Sequence, residues 1–127
     1  MVQDVRAAAI LTTSYVAGTV LGPLTGVGLN PQLQNQLNLL VDFTIGSLTS
    51  AEIRVEYSLD GSTWYQETFE AITGANAVMA NGVYQLSATG KYVISIPIKF
   101  KHIRISAKGT GTVDNSSMKI QAVVGTV

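Results

Sequence analysis

The sequence contains no cysteine and only one histidine among its 127 residues. Without cysteine the chain has no disulfide and no thiolate nucleophile, and the Cys and His ligand sets of zinc sites are excluded. No Asp-x-Asp-x-Asp-Gly calcium loop is present either. We therefore expect no metal site and no cofactor.

Charge is also scarce, since charged residues make up 13% of the chain, against about 25% in an average domain. Eight basic and eight acidic residues cancel, so no long-range field favours nucleic acid or an anionic membrane. No apolar stretch approaches the roughly 20 residues of a membrane helix. The alternatives are a monomer with ordinary loops and a protein whose weakly charged surface is covered by partners.

Five segments alternate apolar and polar residues with the period of two that is typical of half-buried strands. Weaker runs at 12–21, 62–70 and 77–87 bring the expected number of strands to about eight. The residues predicted to face the core are Leu37, Leu39, Val41, Phe43 and Ile45; Ile53, Val55 and Tyr57; Tyr92, Ile94, Ile96 and Ile98; Ile103, Ile105 and Ala107; and Met118, Ile120, Ala122 and Val124.

Turn residues separate these runs, most clearly at Asp60-Gly61, where glycine tolerates positive φ and the Asp side chain can bond its own backbone. The spacing favours a sandwich or barrel over a parallel α/β sheet. We expect one domain over residues 1–127, with an extended N-terminal arm at 1–11. A short helix at 7–11, capped by Asp4, is the alternative for that segment.

Pro97 interrupts one of the predicted strands. Proline cannot donate a hydrogen bond to a sheet ladder, so its strand is either an edge strand or bulged at this residue. An uncovered edge would invite pairing with another chain.

The longest irregular stretch covers residues 17–34, where glycine and proline break both regular periods. Loops of this length are often functional. Either this loop lies over the protein's own sheet or it reaches a neighbouring subunit. Its candidate partner-contact residues are Val20, Leu21, Leu24, Val27 and Leu29. A second candidate loop covers 71–82.

Catalysis finds little support in the sequence. His102 falls on the polar face of a predicted strand, and a triad would need a nucleophile and an acid beside it. Glu56 and Glu67 flank the Asp60-Gly61 turn and could come together as a glycosidase pair, which requires two carboxyls across a cleft. No phosphate-binding glycine motif is present. We expect no catalytic residues.

The basic and aromatic residues suggest two further kinds of site. The cluster Lys99, Lys101, His102, Arg104 and Lys108 does not share one strand face, so it is typical of a solvated rim and not of a nucleic-acid site. Trp64 and Tyr65 could stack against a sugar, or Trp64 could be part of the core.

Two stretches carry a resemblance to a known kind of protein. They are 35–65, which contains NQLNLLVDFT and YSLDGSTWY, and FKHIRI at 100–105. They resemble small β-sandwich or jelly-roll proteins encoded among the virion genes of tailed bacteriophages. The resemblance implies an all-β, two-sheet antiparallel sandwich of the jelly-roll type, and it marks no functional residue.

What the resemblance implies about function is a structural role in the virion. The expected protein is a capsid decoration or cement protein that binds the major capsid protein, with a neck or tail accessory protein as the alternative. Homo-oligomers are common among such parts. A carbohydrate-binding module, based on Trp64 and Tyr65, is the alternative from another class.

Overall fold

The computed structural model describes residues 2–22, 36–73, 76–81 and 83–125, and it contains no helix in these ranges, so none that could cross a membrane. All regular structure in the described residues is extended. The strands are β1 (Val2–Ala9), β2 (Val16–Ala17), β3 (Gln36–Thr44), β4 (Leu48–Ser58), β5 (Tyr65–Gln66), β6 (Thr68–Thr73), β7 (Asn76–Asn81), β8 (Val83–Leu86), β9 (Gly90–Pro97), β10 (His102–Gly111) and β11 (Ser117–Gly125).

Two antiparallel sheets form the sandwich. The four-stranded sheet has the order β1-β11-β3-β9, and the five-stranded sheet has the order β2-β10-β4, with both β5 and β8 paired to β4. β5 and β8 lie one after the other along the same side of β4, so together they act as one strand of the sandwich. Each sheet then has four strands, and the order of the eight is that of a jelly roll. The predicted two-sheet antiparallel sandwich of about eight strands is confirmed.

The remaining pair of strands, β6 and β7, forms a separate antiparallel hairpin. It covers most of the stretch 71–82 that the sequence predicted as a loop, and that prediction is wrong for the residues in these strands. Phe69, Ile72 and Val78 are residue types that favour extended structure, which allows pairing despite the nearby glycines.

The core lies between the two sheets and forms one continuous cluster. The alternation places Leu39 and Phe43 of β3 and Ile53 of β4 fully inside. Ile103 and Ile120 complete the same layer from β10 and β11. The predicted inward faces of the five alternating segments are confirmed, with Ile45 and Tyr92 only partly buried at the margin.

The N-terminal segment is a sheet strand. Residues 2–9 form β1, which pairs with β11 from Val2 opposite Val123 to Ala9 opposite Met118. The segment is extended, but it lies in the sheet and does not project as an arm, and no helix forms at 7–11, because Val5 and Leu11 are buried in the core. The guanidinium of Arg6 donates hydrogen bonds to the carbonyls of Met118, Ala9 and Ile10, which satisfies backbone groups at an irregular part of the strand.

Pro97 is the last residue of β9, which forms the edge of the four-stranded sheet. The edge-strand interpretation of Pro97 is confirmed. A missing backbone donor at this position disturbs the ladder least, because the strand ends there.

The loops gather at the two ends of the sandwich. The end formed by 10–15, 45–47, 87–89 and 112–116 is called the polar end, and its loops are joined by hydrogen bonds such as Ile45 N to Thr89 Oγ1 (2.9 Å) and Leu11 N to Ser116 Oγ (3.1 Å). The end formed by 18–22, 59–64 and 98–101 is called the apolar end.

Candidate functional site

Three loops meet at the apolar end. The backbone at Gly22 packs against Lys101 and His102, and the His102 ring also lies beside Gly61. Leu21 pairs with Ile103 through two backbone hydrogen bonds of 2.9 Å. The His102 imidazole, at the start of β10, therefore lies between the loop that precedes β3 and the loop that precedes β5, and it packs against both.

The turn before β5 is fixed by Asp60. Its Oδ1 accepts hydrogen bonds from the amides of Thr63 (2.9 Å) and Ser62 (2.8 Å) and from the Ser58 hydroxyl (3.0 Å). These bonds favour the carboxylate and lower the pKa of Asp60 to about 2. The turn that these hydrogen bonds fix leaves the side chain of the neighbouring Leu59 68% exposed.

A shallow pocket of about 260 Å³ opens beside this turn. Its walls are the side chains of Leu59, Tyr65 and Phe100, and its floor includes the buried Tyr57. The Tyr57 and Phe100 rings pack at a centroid distance of 5.5 Å with a tilt of 56°. Tyr65 is 64% exposed and Phe100 39%, so large apolar groups face water at this end.

An ion pair borders the pocket. The Lys99 ammonium lies 2.8 Å from Glu67 Oε1 and 5.7 Å from the centroid of the Tyr57 ring. Burial, followed by the nearby Glu67 carboxylate, raises the pKa of Tyr57. The Tyr57 hydroxyl donates a hydrogen bond to the carbonyl of Pro97 (3.3 Å).

The predicted partner-contact loop is only partly available for contact. Val20 is 41% exposed, as a contact residue would be, but Leu21 is buried in the protein's own core. The prediction is wrong for Leu21, because its backbone bridge to Ile103 turns the side chain inward. Leu24, Val27 and Leu29 lie outside the described residues.

The outer face of the five-stranded sheet collects much of the charge. Arg104 contacts both oxygens of Glu56 at 3.0 Å, and Arg54 lies 3.5 Å from the same carboxylate. Lys108 pairs with Glu52 at 3.5 Å. Three residues of the predicted basic cluster, Lys99, Arg104 and Lys108, are thus each paired with a glutamate.

Tyr15 lies at the other side of this charged face. Its hydroxyl donates to Glu52 Oε2 (2.8 Å), and its ring is covered by Arg54 at 4.1 Å and Lys108 at 5.0 Å from the centroid. Burial and the Glu52 carboxylate raise the pKa of Tyr15 to about 12, although the Arg54 charge acts in the opposite direction. Most charged side chains on this face therefore form ion pairs with one another.

The two candidate catalytic carboxylates do not face each other. Glu56 lies opposite Gln66, on the outer face of the sheet. The Glu67 amide donates a hydrogen bond to the carbonyl of Val55, so Glu67 lies opposite Val55, whose side chain is in the core. Since neighbouring residues of a strand alternate between faces, Glu56 and Glu67 lie on opposite sides of the sheet. No group of three residues suited to holding a metal ion occurs in the described part of the chain.

Trp64 and Tyr65 also diverge. The Arg104 guanidinium covers the half-buried Trp64 ring at 4.5 Å on the outer face. Tyr65 is opposite Tyr57 and opens into the pocket at the apolar end. The two rings therefore do not form one stacking platform for a sugar.

Leu59 and Phe100 line the pocket at the apolar end, and neither was identified from the sequence as a candidate contact residue. Both fall in connections and outside the alternating runs. A large apolar residue beside a turn, where core packing does not require it, is the signal that could have found them.

No protein-family model matches the sequence, and no curated protein matches it. Inferences about function rest on the residues described above.

Proposed function

We propose that this protein is a structural virion component of a tailed bacteriophage, a capsid decoration protein that binds the capsid lattice as a homo-oligomer through its apolar end. The contrast between the two ends of the sandwich carries the proposal. Exposed apolar side chains lie in all three loops of the apolar end, namely Val20, Leu59 and Phe100, and Tyr65 lies beside them.

The polar end has the opposite composition. Its loops are short and mostly small or polar, and they are joined to one another and to the strand ends by backbone and side-chain hydrogen bonds. Ile10 is the large apolar residue exposed there, at 54%. A domain with one apolar and one polar end suits a protein that binds a surface with one end and faces solvent with the other.

The physical gain from docking comes from burial of apolar surface. Burying the exposed parts of Leu59, Tyr65 and Phe100 would remove apolar area from water at roughly 25 cal/mol per Å². Aromatic residues at the centre of an interface commonly dominate its binding energy.

The first test is the composition of the particle. Mass spectrometry of purified virions should find the protein in many copies, as expected for a component that covers a repeating lattice. Absence from intact particles would overturn the proposal. A copy number close to that of the neck or tail proteins would favour the accessory role over capsid decoration.

The second test concerns the docking end. Particles that lack the protein are incubated with purified wild type, with Tyr65→Ser or with Phe100→Ser, and binding is measured by co-sedimentation. We expect each substitution to weaken binding about tenfold, because each removes an aromatic anchor.

Ile10→Ser is the matched control, since Ile10 is an exposed apolar residue at the opposite end. It should bind within about threefold of wild type, as peripheral positions usually contribute little. Equal binding by wild type, Tyr65→Ser and Phe100→Ser would exclude the apolar end as the docking surface.

A further inference from the structure

The β6–β7 hairpin is an insertion within a single strand position. The Glu67 amide donates to the carbonyl of Val55 at 2.9 Å, and Val83 at the start of β8 lies opposite Arg54, the preceding residue of β4. The strand beside β4 thus continues in register, although residues 68–82 intervene in the sequence. Joining Glu67 to Val83 would therefore leave this strand position of the sandwich continuous.

The β6–β7 hairpin is not hydrogen-bonded into either sheet of the sandwich within the described residues. Its strands pair with each other from Thr68–Asn81 to Thr73–Asn76, and with no other strand of the described chain. An isolated two-stranded hairpin is only marginally stable in water. Each of its strands therefore has an outer edge that no other described strand pairs with.

The edges of the hairpin lack the usual protection. Lysine and proline, which commonly block edge pairing, are absent from both strands, and Glu70 is their one charged residue. The register pairs Phe69 with Ala80 and Ala71 with Val78. Strands that carry so little charge, and that pair with no further strand in the described chain, are suited to extending another sheet.

The same chain carries an edge that could receive the hairpin. Within the described residues, β9 pairs with β3 alone and forms the edge of the four-stranded sheet. Val93 on this edge is 67% exposed. Lys91 has a side chain that is 82% exposed, and its charge is opposite to that of Glu70. Its surface pair with Asp42 offers little resistance to a new partner.

We propose that the β6–β7 hairpin is an assembly arm that pairs with the β9 edge of a second copy of this chain. The donating and receiving edges are different surfaces of the chain, so the contact is heterologous and closes into a ring of identical subunits when the rotation permits. This contact is separate from the apolar end, so its failure and that of the docking surface can be distinguished.

The first test deletes residues 68–82 and joins Glu67 directly to Val83. Light scattering coupled to size-exclusion chromatography measures the mass of wild type and of the deletion variant at equal concentration. We expect an oligomer for wild type and a folded monomer for the variant, with a β-type circular-dichroism spectrum and a cooperative melt. A monomeric wild type, or a deletion variant that still associates, would overturn the proposal.

Charge variants test the receiving edge while the hairpin stays in the chain. Lys91→Glu should weaken self-association about tenfold, and the double variant Lys91→Glu with Glu70→Lys should restore it. The control is Lys119→Glu, since Lys119 is an exposed residue on the same sheet face but in the interior strand β11. Unchanged association of Lys91→Glu, or failure of the double variant to restore it, would rule out β9 as the receiving edge.

Discussion

The Arg104 guanidinium donates three hydrogen bonds to the Glu56 carboxylate, at 3.2, 3.0 and 3.0 Å, on the outer face of the five-stranded sheet. The two residues are direct cross-strand neighbours in β10 and β4. The Glu56 side chain is only 10% exposed, so this pair is largely removed from water. It joins the two central strands from the side that faces away from the core.

Glu56→Gln tests the contribution of this pair to stability. The substitution leaves the Arg104 and Arg54 guanidinium groups beside a neutral amide, so we expect a loss of about 1–3 kcal/mol of unfolding free energy. Urea denaturation measures it. Asp42→Asn is the control, because the Lys91–Asp42 pair is exposed and such pairs contribute about 0–1 kcal/mol. Equal losses in the two variants would contradict this account.

Leu21 and Val20 give a neighbouring pair with opposite roles. Leu21→Ala should cost about 2–5 kcal/mol of unfolding free energy, because it empties space in the core. Val20→Ala should change stability by less than about 1 kcal/mol, because Val20 is exposed. Thermal denaturation of both variants checks this, and a larger loss for Val20→Ala would show that the assignment of buried and exposed positions is wrong.

Gly46 and Gly61 test two separate costs of a side chain. Both have positive φ, at 57° and 80°, so alanine should cost about 1–2 kcal/mol at either position. At Gly46 the new Cβ would also collide with the backbone carbonyl of Asn115, whereas at Gly61 the nearest atom is 3.5 Å away in His102. We expect Gly46→Ala to lose about 1–3 kcal/mol more than Gly61→Ala. Denaturant midpoints of the two variants decide this, and equal losses would exclude the collision.

The raised pKa of Tyr15 predicts a loss of stability in alkali. The folded-state pKa of about 12 lies above the usual value of 10.0, so the contribution is fully present below pH 10 and is lost as the pH rises through 12. The unfolding free energy of wild type relative to Tyr15→Phe should therefore fall between pH 10 and 12. Denaturation curves across this range measure the difference, and a difference independent of pH would refute the prediction.

The sandwich could be predicted because alternation is a local property. A strand with one face in the core must repeat every two residues, and Leu37 to Phe43, broken only by Leu40, and Ile103 to Ala107 show that period. Pro97 could be placed at an edge for an equally local reason, the missing backbone donor. The jelly-roll order came from the resemblance, since no local pattern specifies which strands pair.

The remaining features depend on contacts between distant residues. The hairpin could not be recognised as an insertion from the sequence. Only the pairing with β4 shows that Glu67 and Val83 are successive residues of the same strand beside it. Leu21 was assigned to a partner surface because nothing local reveals its bridge to Ile103. Trp64 and Tyr65 are adjacent in sequence, and the alternation of the strand separates them onto opposite faces.

Pairing of the first strand with the last has a practical consequence. Val2 lies opposite Val123, and both belong to the end of the sandwich where Leu59 and Phe100 are exposed. A tag or fluorescent protein joined before Val2 or after Gly125 would emerge at this same end, where the docking surface is proposed. A peptide inserted in the turn at Asp114-Asn115 would instead lie at the opposite end of the sandwich.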